Sequence, residues 1–169
     1  MSNPFERQPC GDSIEHVVRI ELANEPSDAD VEVVNGLLRN FNKKENAEFW
    51  RKITDPTHKS QPLHIFVYES GRAIIGGLLG ETSLSWLKIR VMAVDEPFRR
   101  QGLGTKLSVA AESEAVRRGC KYSFLDTMQY QAPEFYQRLG YKVAGSIPDW
   151  DSHGHAKYFM TKKLSGSSA

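Results

Sequence analysis

The residues best placed to do chemistry are Arg99-Arg100-Gln101-Gly102-Leu103-Gly104, which join two segments of different period. Ile89 to Val94 reads as an extended run, whereas Leu103, Leu107, Ala110 and Ala111 recur at helical spacing. A strand that ends in a charged, glycine-containing turn and restarts as a helix aims unpaired backbone N–H groups and the positive end of the helix dipole at one point. Such a point binds an anion. Gly102 and Gly104 suit the role, because a phosphate approaches the backbone only where no Cβ intervenes and an encircling turn needs unusual φ angles. A P-loop would need Gly-Lys-Ser/Thr after a longer spacer, and here Gly104 is followed by Thr105-Lys106; a dinucleotide fingerprint would need a third glycine. Taken alone, a Gly-x-Gly at a helix start also suits an unspecialised turn.

Two further groups of reactive residues are weaker. Asp151, His153 and His155 have the composition of a metal cluster, but one short loop rarely supplies a complete ligand shell, and no metal is expected. Cys10 and Cys120 are too few and too far apart for a disulfide framework or a metal site, and read as ordinary thiols.

The anion turn does not stand alone. Val94-x-x-x-x-Arg99-Arg100-Gln101-Gly102-Leu103-Gly104 resembles the acyl-CoA signature Gln/Arg-x-x-Gly-x-Gly/Ala of the GNAT N-acetyltransferase superfamily. Downstream, Leu125-Asp126-Thr127 followed by Gln131-Ala132-Pro133-Glu134-Phe135-Tyr136-Gln137-Arg138-Leu139-Gly140-Tyr141 looks like that superfamily's second block. The final loop, Asp149-Trp150-Asp151-Ser152-His153-Gly154-His155, resembles a subgroup with Asp-aromatic-x-x-x-Gly-His before its last strand. The resemblance covers roughly residues 15 to 164.

What the resemblance implies is specific. Acetyl-CoA is the co-substrate, its pantetheine arm lying along Met92, Ala93 and Val94 where the sheet splays. Its pyrophosphate meets the turn formed by Arg99, Arg100, Gln101, Gly102, Leu103, Gly104 and Thr105. Tyr136 takes the place of the hydroxyl that protonates the departing thiolate, and Gln129 and Gln131 stand near the position of an asparagine that touches the cofactor. Thr127 lies at the strand end beside the thioester. An unperturbed lysine-type amine is neutral to only about one part in a thousand at pH 7.4, a handicap of roughly 4 kcal/mol, so its proton needs an acceptor. The family's glutamate on the fourth strand is replaced by Lys88, which leaves the base unassigned; Glu81 is the nearest acidic residue in sequence. Trp50, Asp149, Trp150 and Asp151 are candidates to hold an acceptor cation by charge and π contact.

The elements that must position these residues follow from pattern. Across 169 residues with a net charge of +1, one domain is expected, and bulk charge suggests no nucleic-acid or membrane partner. No stretch is long and apolar enough to span a bilayer, the N-terminus lacks a secretory pattern, and a cytoplasmic enzyme is expected. Residues 1–14 and 165–169 read as loose tails around a domain at 15–164. Val17, Ile20 and Leu22 begin a β pattern; Ser27 to Asp30 offers an N-cap to a helix carrying Val31, Val34, Leu37, Leu38 and Phe41; Asn46 to Ile53 could make a short helix. Strands are predicted at 63–69, 72–81, 86–95, 122–127, 141–147 and 156–164, and helices at 101–118 and 132–139. The fold class is α/β in the mixed α+β sense. It has a mostly antiparallel sheet of about seven strands, splayed after the fourth as the resemblance implies, with helices on both faces.

Three functions fit. The first is an N-acetyltransferase moving acetyl from acetyl-CoA to a small primary amine by direct attack. The second is a protein or peptide N-acetyltransferase, and the third a non-catalytic acyl-CoA sensor. The resemblance also implies a homodimer paired through C-terminal strands.

Overall fold

A computed structural model describes residues 18–164, and the chain divides into two units after Glu45. The expected tails at 1–14 and 165–169 lie outside the described residues, as do Val17 and Cys10. In the first unit the β pattern of Ile20 and Leu22 forms no strand: residues 18–23 have no regular structure, and these side chains are 94% and 91% exposed. Apolar alternation stabilises a strand only where a neighbour takes up its N–H and C=O groups. Helix α1, Asp28–Glu45, begins where the cap was expected: the Ser27 hydroxyl accepts the Asp30 N–H at 3.1 Å and donates to the Asp30 carboxylate at 2.6 Å. Acidic Asp28 and Asp30 in the first turn and basic Lys43 and Lys44 in the last both match the helix dipole.

The second unit opens with α2, Ala47–Thr54, capped by Asn46, whose Oδ1 accepts the Phe49 N–H at 3.0 Å. Strands β1 (Gln61–Tyr68), β2 (Ile74–Ser83) and β3 (Trp86–Val94) form an antiparallel meander. Helix α3 (Leu103–Arg117) crosses to β4 (Tyr122–Met128), which lies parallel to β3; α4 (Pro133–Arg138), β5 (Lys142–Ile147) and β6 (Lys157–Lys163) complete the chain. The order is β1-β2-β3-β4-β6-β5. The sheet thus has six strands rather than about seven, and the splay expected after a fourth strand falls after the third.

The core forms between α3 and the sheet. Leu107, Ala111 and Ala115, four residues apart on one helix face, meet Leu63, Leu78, Leu87, Ile89, Leu125 and Met160, none more than 3% exposed. Each buried leucine contributes about 1.5–3 kcal/mol of transfer free energy, and the alanines let the helix approach closely. Helix α3 ends as its sequence suggests: Gly119 has φ +85°, and its N–H bonds to Val116 O at 2.9 Å. Arg118, the last cap residue, reaches the Pro62 carbonyl at 3.0 Å and the Thr82 hydroxyl at 3.2 Å, tying the helix end to β1 and β2.

A bulge sets the position of the splay. Leu79 pairs with Val91 and Gly80 with Ile89, leaving Arg90 as an extra residue in β3. A bulge bends its strand and adds twist. Immediately beyond it β3 leaves β4, since the last pair across that seam is Ile89 with Leu125. Gly80 permits the bend: a Cβ there would lie 2.7 Å from the Lys88 carbonyl oxygen. The sequence's Gly76 and Gly77 serve a similar close approach, since a Cβ on each would lie 3.0 Å from Ala93 O and 2.9 Å from Ile65 O respectively.

Candidate active site

Past the Ile89–Leu125 pair, one edge of β3 stays bound to β2 and the other opens on a cleft of about 580 Å³. The Asp95 N–H bonds to Ile75 O at 2.8 Å, so by two-residue alternation Ala93 also turns its backbone toward β2. Met92 and Val94 therefore present their N–H and C=O groups to the cleft. The Val94 carbonyl there accepts Arg99 Nε at 2.8 Å. Of the three residues expected along an extended amide ligand, Met92 offers both main-chain groups and Val94 its N–H, the Val94 carbonyl being taken by Arg99, and Ala93 lines the wall only.

The cleft continues into a hollow of about 620 Å³ at the start of α3, which shares Met92, Val94, Arg99, Gln131, Ala132 and Tyr136 with it. Arg100, Gly102, Leu103, Gly104 and Thr105 line this end. Arg100 (φ +60°) and Gly102 (φ +78°) are left-handed, and Gly102 caps α3 with no side-chain hydrogen bond. Lys106 N–H bonds to Gly102 O, whereas the N–H groups of Leu103, Gly104 and Thr105 meet no acceptor among the described residues. A curl of free N–H groups at a helix start fits a phosphate. Arg100 has no hydrogen-bond or ion-pair partner among the described residues, while the Arg99 guanidinium is anchored by its Nε to the Val94 carbonyl. A Cβ on Gly104 would sit 3.1 Å from the Phe135 ring, which lines the same hollow. Two expected residues fall outside both linings. Gln101 Nε2 donates to Pro97 O at 3.3 Å, and Gln129 Oε1 accepts the Ala156 N–H at 3.1 Å. Gln131 lines both, its Oε1 accepting the Met128 N–H at 2.9 Å.

Tyr136 stands where cleft and hollow meet. Its residue is 9% exposed, yet its hydroxyl has no partner, and it is not sealed: among the described residues the fully buried side-chain polar atom without a partner is Glu112 Oε1. Burial pushes the phenol upward, so it remains protonated at neutral pH. Tyr141, its ring neighbour at 5.9 Å, shows the contrasting structural use: its hydroxyl is 2.7 Å from Ser123 Oγ. Ala132, the cap of α4, holds φ +82° without being glycine, a strain of about 1–3 kcal/mol at the cleft wall.

A free sheet edge, an uncapped helix start and an unpaired phenol fit an amide-bearing, diphosphate-bearing thioester. Residues 61–143 match the family model of the acetyltransferase (GNAT) domain. Over 113 residues the chain is 37% identical to the blasticidin-S acetyltransferase of Streptomyces morookaense, covering 64% of this chain and 82% of that protein. The chain belongs to the GNAT acetyltransferases. The crystal structure of an acetyltransferase from Bacillus cereus superposes with a TM-score of 0.68 at 27% identity, over 85% of this chain and 98% of that one. The fold also matches an aminoglycoside 6'-N-acetyltransferase complexed with coenzyme A (TM-score 0.57, 16% identity, 85% and 97% covered). The protein is thus an acetyl-CoA-dependent acyltransferase.

In this GNAT enzyme the residues around the seam differ from the sequence expectations. Glu81 lines neither the cleft nor the hollow at the start of α3, but a separate hollow beside Trp86 and Lys88. Its carboxylate accepts Ser60 Oγ at 2.7 Å and Arg90 Nη2 at 2.7 Å, and these bonds, Ser60's first, hold its carboxyl below the usual range. Such a group is a poor proton acceptor. Trp150 lies under the chain's own Lys157 Nζ at 4.6 Å, and Trp50 belongs to α2. Burial raises the Cys120 thiol, which suits an inert core residue. Arg90, Val91, Asp126 and Tyr130 line the cleft without having been singled out; Asp126, one residue past the last β3–β4 pair, was visible in the second sequence block but carried no assigned role. Among the described residues no three His, Cys, Asp or Glu groups gather as a metal site, and no helix is long and apolar enough to cross a membrane.

Proposed function

We propose that this enzyme acetylates a primary amine of a small molecule by direct attack, with Tyr136 as general acid. The free phenol in the cleft carries the reading. Acetyl-CoA supplies a thioester whose carbonyl a neutral amine can attack, with the thiol as leaving group. Met92 and Val94 would hold the amides of the pantetheine arm, and the N–H groups of Leu103 to Thr105, with the Arg100 side chain, the diphosphate. Tyr136, protonated and partnerless, is available to give its hydrogen to the sulfur. A thiol of pKa near 8.5 is already a fair leaving group, so this help is worth about 10²-fold.

A small acceptor is supported by a second hollow of about 510 Å³, lined by Leu84, Trp86, Lys88 and Phe124 together with Ser60, Ser83 and the Arg90-paired Glu81. Lys88 and Phe124 pair across β3 and β4 immediately before the seam opens, and the volume suits a drug-sized molecule. The relative that acts on blasticidin S points the same way. The test follows thiol release from acetyl-CoA with blasticidin S, spermidine, tyramine, kanamycin and a peptide with a free N-terminus. Turnover of at least one small amine and not the peptide is expected; acetylation of the peptide alone would overturn the small-molecule reading.

A further inference from the structure

Direct transfer requires that an ammonium lose a proton before its nitrogen attacks, and the nearby carboxylates are engaged. Glu81 is held by Ser60 and Arg90, and Asp126 Oδ2 lies 2.6 Å from Lys157 Nζ. The loop between β5 and β6 offers a different group. Asp149 Oδ1 accepts the Gly154 N–H at 2.7 Å, and Asp151 Oδ1 accepts those of His153 and His155 at 3.0 and 3.2 Å, so the loop is folded around its own carboxylates. The other Asp151 oxygen lies 2.7 Å from His155 Nδ1. An ionised carboxylate only accepts, so Nδ1 carries the hydrogen and Nε2 of the neutral ring keeps its lone pair.

That lone pair is available. Nε2 has no partner among the described residues, and the side chain is 47% exposed. The ring meets Tyr130 edge to face at 5.2 Å, and Tyr130 lines the cleft together with Tyr136 and Asp126. The loop touches the cleft's border a second time through Trp150, which lies under the same Lys157 that holds Asp126. His153 is arranged otherwise: its Nδ1 is 2.7 Å from the Asp151 main-chain oxygen.

We propose that His155 is the general base of the transfer and Asp151 its positioning residue, with Nε2 accepting the acceptor ammonium's proton directly or through one water. The inference rests on the acetyltransferase mechanism above. One of the ammonium's three protons passes to Nε2; the N–C bond forms as the thioester C–S bond breaks; the sulfur takes the Tyr136 proton; and the phenolate takes one of the two protons left on nitrogen, the amide keeping the other. Imidazolium then returns its proton to solvent. Partial burial would raise the Asp151 carboxyl, but the bonds from His155 and the two loop N–H groups outweigh it and hold the carboxyl low. Asp151 is therefore an anion that accepts from Nδ1–H and fixes the ring's orientation. The titratable groups that face His155 are Asp151 and Tyr130, with the Lys157–Asp126 pair beside the same loop.

The test uses the full chain, acetyl-CoA and the amine of the panel above that turns over fastest. Wild-type kcat/KM should rise with pH on a limb that depends on the His155 imidazole. His155→Gln should lower kcat about 10²-fold at pH 7 and remove that limb, the deficit shrinking as pH approaches the amine's own pKa. Asp151→Asn should lower kcat with KM for acetyl-CoA unchanged. A loss that is uniform across pH, with the limb retained in His155→Gln, would overturn the proposal. A readout independent of turnover is the ring ¹⁵N spectrum of the wild type, assigned by difference from His155→Gln. An Nδ1–H tautomer is expected, and an Nε2–H tautomer overturns the assignment. Failure of the wild type to acetylate any amine would count against the transfer mechanism, while the tautomer would still decide the dyad.

Discussion

Two tyrosines in one core show how environment assigns a role to a side chain. Tyr141 satisfies its hydroxyl on Ser123 and contributes to packing; Tyr136 leaves its hydroxyl free where two hollows meet. Tyr136→Phe should therefore lower kcat about 10²-fold and leave acetyl-CoA affinity within about threefold, measured by thiol release and calorimetry. Tyr141→Phe should instead cost stability, about 1–3 kcal/mol, because it strands the buried Ser123 hydroxyl, with kcat unchanged. An equal loss of kcat in both variants would remove the distinction. The place of Tyr136 on the cleft wall was legible in the sequence through its neighbours Phe135, Leu139 and Gly140. Gly102 was legible because glycine itself encodes a left-handed φ. The division of labour between Arg99 and Arg100 was not, since adjacent side chains leave a turn in directions set by φ, and only Arg100 adopts the left-handed one. Gln101 and Gln129 lie outside both linings for a related reason: each is taken up by a nearby carbonyl or N–H group that no spacing rule reveals. The contact of His155 with Tyr130 spans 25 positions and depends on how a loop folds on its own aspartates.

At the scale of elements, α3 is set at both ends by glycine and held at its C-terminal end by charge. Glu114 accepts hydrogen bonds from Arg117 and Arg118, which bring its carboxyl down to about 2. Because the folded pKa lies below the unfolded one, this pairing stabilises the fold above roughly pH 4.3, and the gain disappears as pH falls toward 2. The melting temperatures of the wild type and Glu114→Gln should thus differ at pH 6 and converge near pH 2.5; a constant gap would refute the assignment. Through Arg118 the same helix end grips Pro62 and Thr82, so the readout reports on the β1–β2 side of the sheet as well. The elements from β1 to β6 were legible within a few residues because apolar alternation and turn glycines act locally. A first strand at 17–22 was not, because alternation states that a segment could pair and not whether an edge is there to receive it. The bulge at Arg90 was equally hidden: a register shift of one residue is a property of two strands together.

At the scale of the sheet, β1–β3 and β4–β6 form two leaves joined along one short seam, from Trp86–Tyr122 to Ile89–Leu125. A ligand that bonds Met92 and Val94 supplies rungs that the seam lacks, and binding only to the folded state adds RT ln(1 + [L]/Kd), about 2.7 kcal/mol at a hundredfold excess over Kd. Coenzyme A should accordingly raise the melting temperature and slow deuterium uptake at the Met92 and Val94 amides; protection at Ala93 alone would place the arm on the wrong edge. The composition bounded the chain to a small mixed fold, and the two motif blocks implied the splay. Its position in this chain required the strand count that only the assembled sheet provides.

The proposed donor seat draws on the main-chain groups of Met92, Val94 and the start of α3, whereas the loop at 148–156 and the hollow around Trp86 present side chains. Mutation rewrites the second and cannot rewrite the first. A scaffold of this kind can be retargeted from one amine to another by exchanging a few residues on its far face, with its grip on the acyl carrier left intact.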